Sequence, residues 1–309
     1  MDSNVPSPGQ SLDPQSLSIQ KVAHFMESGR LDLAEIELQR TLQMDPNYAM
    51  GHALMGMVLF QQERASQAED SARTALALDP EDDTILGISG IILAGRGKNT
   101  EAETMFLAAL RIDPLNASTY RSYSGLMHKT GHLDKAKRLL ERGIQISPDD
   151  ASLHNARASV MGEKNERSES RQSSQKGSAL QPGDAYSHFV RGHTLLADLK
   201  PFQARAAFRE ALAIEPSDED YIESFHEVDL CCRAIYLPYF FFSRLLERLP
   251  GNFITLWVGF IVIYQVMLHM EVRDVIVGTF SASYLSFVIY TWIATPLVNF
   301  WVKLRPAKF

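Results

Sequence analysis

LQMDP (residues 42–46), LALDP (76–80), LRIDP (110–114), IQISP (144–148), SALQP (178–182) and LAIEP (212–216) are the stretches that decide the fold. Their prolines, Pro46, Pro80, Pro114, Pro148, Pro182 and Pro216, stand 34 residues apart. Prolines in strict phase mark an internal repeat, and a period of this length points to stacked structural units. An apolar residue stands two before each proline: Met44, Leu78, Ile112, Ile146, Leu180 and Ile214.

With the proline counted as position 32, more of the unit comes into register. Position 20 is Ala34, Ala68, Ala102, Ala136, Ser170 and Ala204, a small residue that lets two helices approach closely. Position 8 is Val22, Gly56, Gly90, Ser124, Ala158 and Gly192, again mostly small. Position 15 holds Gly29, Gly97 and Gly131, where a turn between helices needs a left-handed residue. Each unit reads as helix, short turn, helix and a second turn closed by proline, which cannot continue a helix but suits the start of the next.

The period, the small residues at 8 and 20, the apolar residues at 24, 28 and 30 and the proline at 32 resemble the tetratricopeptide repeat. The resemblance covers about residues 15–218. It implies an all-α fold, an α-solenoid of about six helix-turn-helix repeats that binds proteins or peptides and does no chemistry. The family's aromatic at position 4 occurs here as Tyr120. One helix pair cannot bury its apolar face alone, so neighbouring units stack. A terminal helix over 219–234 is expected to cap the stack, after a disordered Pro/Ser-rich tail over 1–14.

The resemblance also implies that positions 2, 5, 6, 9, 12 and 13 of each first helix line a groove. The expected peptide-binding residues are Met50, Leu54, Met57, Phe60, Ile88, Ile91, Arg121, His128 and Lys129. The methionines adapt to varied apolar partners, and the basic residues attract acidic groups at one end. Position 6 of repeats two to four is Leu54, Ile88 and Ser122, so the carboxylate clamp of some co-chaperones in the family is missing.

Repeat five, residues 151–184, keeps its length but loses the apolar pattern. Ser170, Ser174, Gly177 and Ser178 stand at positions 20, 24, 27 and 28. A loosely packed helix or hinge is expected there, with the serines from Ser168 to Ser178 on a solvated face.

Residues 1–233 carry 24 basic and 34 acidic side chains, which argues against nucleic acid as a partner. Beyond them the chain is apolar and weakly basic. Residues 252–270 and 275–302 are uncharged apart from His269 and predict a two-helix transmembrane hairpin within 251–309, preceded by an interfacial segment over 235–250. Gly278, Ala282 and Ser286 form a small-residue stripe expected to pack on Gly259. The flanking arginines and lysines, with no secretory signal in the opening residues, predict both termini on the cytoplasmic side, in a bacterial inner membrane as the first choice. Cys231 and Cys232 are adjacent and read as small buried apolar residues.

The nine histidines show no motif, and no phosphate loop, metal-binding pattern or nucleophile elbow is present. The expectation is a membrane-anchored scaffold or adaptor with protein or peptide partners and a lipid bilayer. It is not an enzyme, has no cofactor or metal, and shows no small-molecule substrate. The alternative is a subunit of a membrane transport, secretion or envelope-assembly complex with the hairpin as the functional contact.

Overall fold

The computed structural model describes residues 14–233, 237, 240–241, 252–270, 276–286 and 289. Within them the chain is helical and the repeat is regular. Second helices are α2 (Leu31–Met44), α4 (Ala65–Leu78), α6 (Asn99–Ile112), α8 (Leu133–Ile146), α10 (Arg167–Leu180) and α12 (Pro201–Ile214). First helices are α1 (Pro14–Glu27), α3 (Ala49–Gln61), α5 (Asp83–Gly95), α7 (Ala117–Lys129), α9 (Ala151–Glu163) and α11 (Ala185–Ala197). The next helix, α13 (Glu219–Cys231), follows in the same phase, and α14 spans Asn252–His269.

The turn inside each unit is a Schellman motif. The amide of position 16 donates to the carbonyl of position 11 in all six units: Arg30 to Phe25, Arg64 to Leu59, Lys98 to Leu93, His132 to Met127, Glu166 to Met161 and Lys200 to Leu195, at 2.8–2.9 Å. That bond requires a left-handed residue between them. Gly29, Gly97 and Gly131 supply it at φ 69–78°, as the sequence predicts. Glu63, Asn165 and Leu199 adopt φ 60–61° at the equivalent positions. Asparagine tolerates that region, whereas glutamate and leucine hold it against their Cβ atoms. Glu63→Gly is therefore expected to stabilise the protein by roughly 0.5–1 kcal/mol. Gly131→Ala should destabilise it by about as much, although no atom lies within 4 Å of the added Cβ. Thermal melts of the two variants check both signs.

The turn between units is fastened from the other side. Position 34 caps the following first helix through its side-chain oxygen: Asp82 to the Ile85 amide (2.8 Å), Asn116 to Thr119 (3.0 Å), Asp184 to Ser187 (2.9 Å) and Asp218 to Tyr221 (3.0 Å). These caps satisfy amides that a helix start leaves orphaned.

By internal packing the chain divides into two compact units, Met1–Val160 and Met161–Phe309, with the division inside α9. In the first, Val22, Leu38, Ala53, Val58, Ala75, Ile85 and Ile92 form a core at 5% exposure or less. In the second, Ala204, Phe208, Ala211 and Val228 do the same. The small residues at positions 8 and 20 are where helices come closest. A Cβ on Gly90 would lie 2.7 Å from the Phe106 ring, and one on Gly192 would lie 2.6 Å from the Phe208 ring.

Repeat five departs from expectation in one respect. α10 forms over Arg167–Leu180, but its serines do not lie on a solvated face. Ser170, Ser173, Ser174 and Ser178 are buried, and of the five only Ser168 is exposed. Ser174 and Ser178 donate their hydroxyls to the carbonyls of Arg171 (3.1 Å) and Gln175 (3.2 Å). A serine can therefore stand at a core position without an unpaired polar group, since its own helix supplies the acceptor.

The C-terminal hairpin also requires correction. Among the described residues no helix is long and apolar enough to cross a membrane. α14 has 18 residues, about 27 Å, against a hydrocarbon core of about 30 Å. The two spans, the bilayer as partner, the bacterial inner membrane and the cytoplasmic orientation are accordingly withdrawn. The connecting loop, most of the interfacial segment and the remainder of the second expected span lie outside the described residues. Gly278, Ala282 and Ser286 are exposed, and among the described residues no atom lies within 4 Å of a Cβ on Gly278. The helices meet through aromatic rings, Phe260 on Tyr284 at 3.8 Å and on Phe280 at 5.4 Å. The side-chain surroundings of Gly259 lie outside the described residues.

Candidate functional site

The first unit sets first helices side by side: α3 packs on α5, and α5 on α7. α3 reads AMGHALMGMVLFQ and has only His52 and Gln61 as polar residues. Its inner positions Ala53, Met55, Val58 and Leu59 are buried. Its remaining face is apolar too, with Met50, Leu54, Met57 and Phe60 half-buried at the margin of the core. On α5, Ile88 is buried and Ile91 half-buried. The ring of Phe60 reaches the end of α5, where a Cβ on Gly95 would sit 2.2 Å from it. A helix with no polar face is expected to be covered on all sides.

α7 is different. Arg121 and Lys129 are exposed and His128 is half-buried. Lys129 Nζ donates to the Ala94 carbonyl on α5 at 3.2 Å, which brings this cation to the edge of the apolar strip. The nine expected residues thus belong to three consecutive first helices. Together they give an apolar strip from α3 and α5 with positive charge from α7.

Ion pairs between units hold these helices in register, and sequence reading missed them. Position 21 carries Glu35, Glu69 and Glu103 in the first three repeats, then Lys137, Arg171 and Arg205 in the next three. Glu35 accepts from Arg64 of the next repeat at 2.7 Å. Glu69, itself buried, accepts from Lys98 (2.6 Å) and Arg96 (3.2 Å) of the next repeat and from Arg73 of its own helix. Glu103 accepts from Lys135 (2.5 Å) and the buried Tyr123 hydroxyl (2.6 Å). In the second unit the polarity is reversed, with Arg171 donating to Asp198 (2.9 Å) and Arg205 pairing with Asp229 (2.6 Å). The hydrogen bonds from Arg64, Lys98 and Lys135 hold the carboxyls of Glu35, Glu69 and Glu103 below the ordinary range. Burial pushes the Tyr123 hydroxyl up, and its bond to Glu103 adds to that.

Three histidines are in phase after all. His52, His154 and His188 occupy position 4, and each Nε2 bonds the carbonyl of the proline six residues earlier: Pro46 (2.9 Å), Pro148 (2.9 Å) and Pro182 (2.8 Å). They tie each first helix to the turn before it. Their spacing in multiples of 34 was available in the sequence as a signal. Among the described residues no group of histidine, cysteine or acidic side chains is disposed to hold a metal.

Two sequence models of the tetratricopeptide repeat match this chain, over residues 53–117 and 93–160. Residues 53–160 are thus similar to tetratricopeptide repeats. Solved structures agree on the fold. Pseudomonas aeruginosa PilF is 19% identical, with 69% of this chain and 97% of that one covered at a TM-score of 0.51. PilW, described as a type IV pilus biogenesis factor, is 17% identical, with 71% and 99% covered at 0.56. A tetratricopeptide repeat protein from Parabacteroides merdae is 18% identical, with 72% and 86% covered at 0.58. No curated protein matches by sequence. At these identities the solved structures speak for the tetratricopeptide architecture alone. The fold suits protein binding.

Proposed function

We propose that the protein is a tetratricopeptide scaffold or adaptor that docks a protein or peptide segment on the first-helix face of its first unit. The observation that carries this is α3, which has apolar side chains on the face its neighbours leave half-covered. Met50, Leu54 and Met57 recur one turn apart along it and would take apolar anchors of a partner. Phe60, Ile88 and Ile91 extend the strip, while Arg121, His128 and Lys129 favour acidic groups at the far end. The partner is thus a segment of apolar anchors with acidic residues to one side.

The test is capture of partners by the full chain from an extract of its source. Leu54→Arg with Met57→Arg is expected to reduce capture at least tenfold, because two desolvated charges would oppose the anchors. Undiminished capture by the folded double variant would sink the proposal.

A second reading is favoured by the hairpin, where the chain would be a subunit of a larger assembly. Ile261, Val262 and Ile263 are each about half exposed, at 50%, 54% and 50%, and Leu285 is 60% exposed. Contiguous exposed apolar surface marks a contact. Val262→Arg, rather than the α3 substitutions, would then release the partners.

A further inference from the structure

The second unit carries a face of opposite character. On α11, Tyr186, Phe189 and His193 follow one another at positions 2, 5 and 9 of the repeat. Tyr186 is 48% exposed, and its ring lies 6.3 Å from that of Phe189. His193 meets Phe189 edge-on at 4.6 Å. On α13 the same positions are Asp220, Glu223 and Glu227, all exposed. The two helices are in contact, with Phe189 against Tyr221 at 4.9 Å.

Among the described residues the acidic side chains of α13 meet no counter-charge at these three positions. The helix dipole rationalises Glu219 and Asp220 in the first turn of α13, but not Glu223 and Glu227 in the later turns. There, like charges one turn apart repel each other. Asp229, on the same helix, is paired with Arg205 and Arg233. Asp220, Glu223 and Glu227 have no ion pair or hydrogen bond among the described residues.

We infer that this face docks a basic peptide segment, with arginine or lysine side chains seated over the Tyr186 and Phe189 rings and neutralised by Asp220, Glu223 and Glu227. Exposed aromatic faces attract cations, and guanidinium groups also stack on them. Three exposed carboxylates on the helix in contact supply the complementary charge, and the spacing of both triplets matches along the two helices. The surface is separate from the strip on α3 and α5, whose basic end favours the opposite charge. It stands whether or not that strip binds a partner.

The test uses the full chain and a short fluorescein-labelled peptide of alternating arginine and glycine, with a glutamate–glycine peptide, which lacks the apolar anchors of the other strip, as its counterpart. Fluorescence anisotropy is expected to give saturable binding of the basic peptide only, weakening as salt rises. Glu223→Lys with Glu227→Lys should weaken it at least tenfold. Tyr186→Ala should weaken it roughly threefold to fivefold, the contribution of a cation over an exposed ring. Glu223→Gln with Glu227→Gln serves as a milder pair in case the lysines disturb folding, and Thr104→Arg, at an exposed position of the first unit, should leave binding unchanged. No saturable binding, or binding indifferent to both Tyr186→Ala and the glutamine pair, would overturn the inference.

Discussion

Phe208→Ala is expected to remove about 3–5 kcal/mol from the stability of the second unit. The ring is 1% exposed and fills the space opposite Gly192, where a Cβ would come within 2.6 Å of it. Position 8 and position 24 share one volume in repeats three and six. The glycines Gly90 and Gly192 face the phenylalanines Phe106 and Phe208, while Val22 stands in a repeat with Leu38 and Ser124 in a repeat with Leu140. Gly192→Ala alone should cost about 1–3 kcal/mol by overpacking, since the buried ring has nowhere to swing. Gly192→Ala with Phe208→Leu should cost less than the sum of its parts, because the smaller side chain makes room for the methyl group. Denaturant unfolding of the three variants measures these differences, and strict additivity would mean that the two positions do not share that volume.

The second large effect is expected at Glu69. Its side chain is 7% exposed and gathers Lys98, Arg96 and Arg73 around one carboxylate. Glu69→Lys would place a fourth cation among these three and is expected to cost about 3 kcal/mol or more, as an uncompensated buried charge does. Glu69→Gln keeps the shape and should cost less. The pH dependence follows from the carboxyl's lowered value, caused first by the bond from Lys98 and opposed by burial. A depressed acid adds stability above its unfolded value, ordinarily 4.5, and loses it as pH falls through the lower folded value. Wild type should therefore lose stability faster than Glu69→Gln as pH drops below that range. Urea melts of both proteins across acidic pH provide the check.

The architecture was legible because proline, glycine and alanine report backbone constraints directly. Pro46 through Pro216 give the period, and Gly29, Gly97 and Gly131 give the turn. The same turn in repeats two, five and six was hidden, since Glu63, Asn165 and Leu199 adopt a left-handed backbone that their side chains do not advertise. The buried serines of α10 misled for the opposite reason. Hydrophobic pattern assigns polar residues to solvent, but a serine bonded within its own helix can be buried at little cost.

At the site, the apolar strip could be read once the phase was known, because each first-helix position recurs every 34 residues. The histidines of position 4 escaped notice because an aromatic was sought there, whereas the fold uses an imidazole to grip a proline carbonyl. The ion pairs at position 21 escaped because the partner of each lies in the following repeat. The hairpin was read by apolar length, whereas the contact seen among its described residues is between aromatic rings.

The most direct measurement of the central claim is position-specific photo-crosslinking of the full chain in an extract of its source. One photoreactive residue would replace half-buried Met57 on α3, and another would replace exposed Thr104 on the second helix α6. The account predicts partner adducts at position 57 that disappear with Leu54→Arg, and none at position 104. Adducts at position 104 with none at position 57 would contradict it.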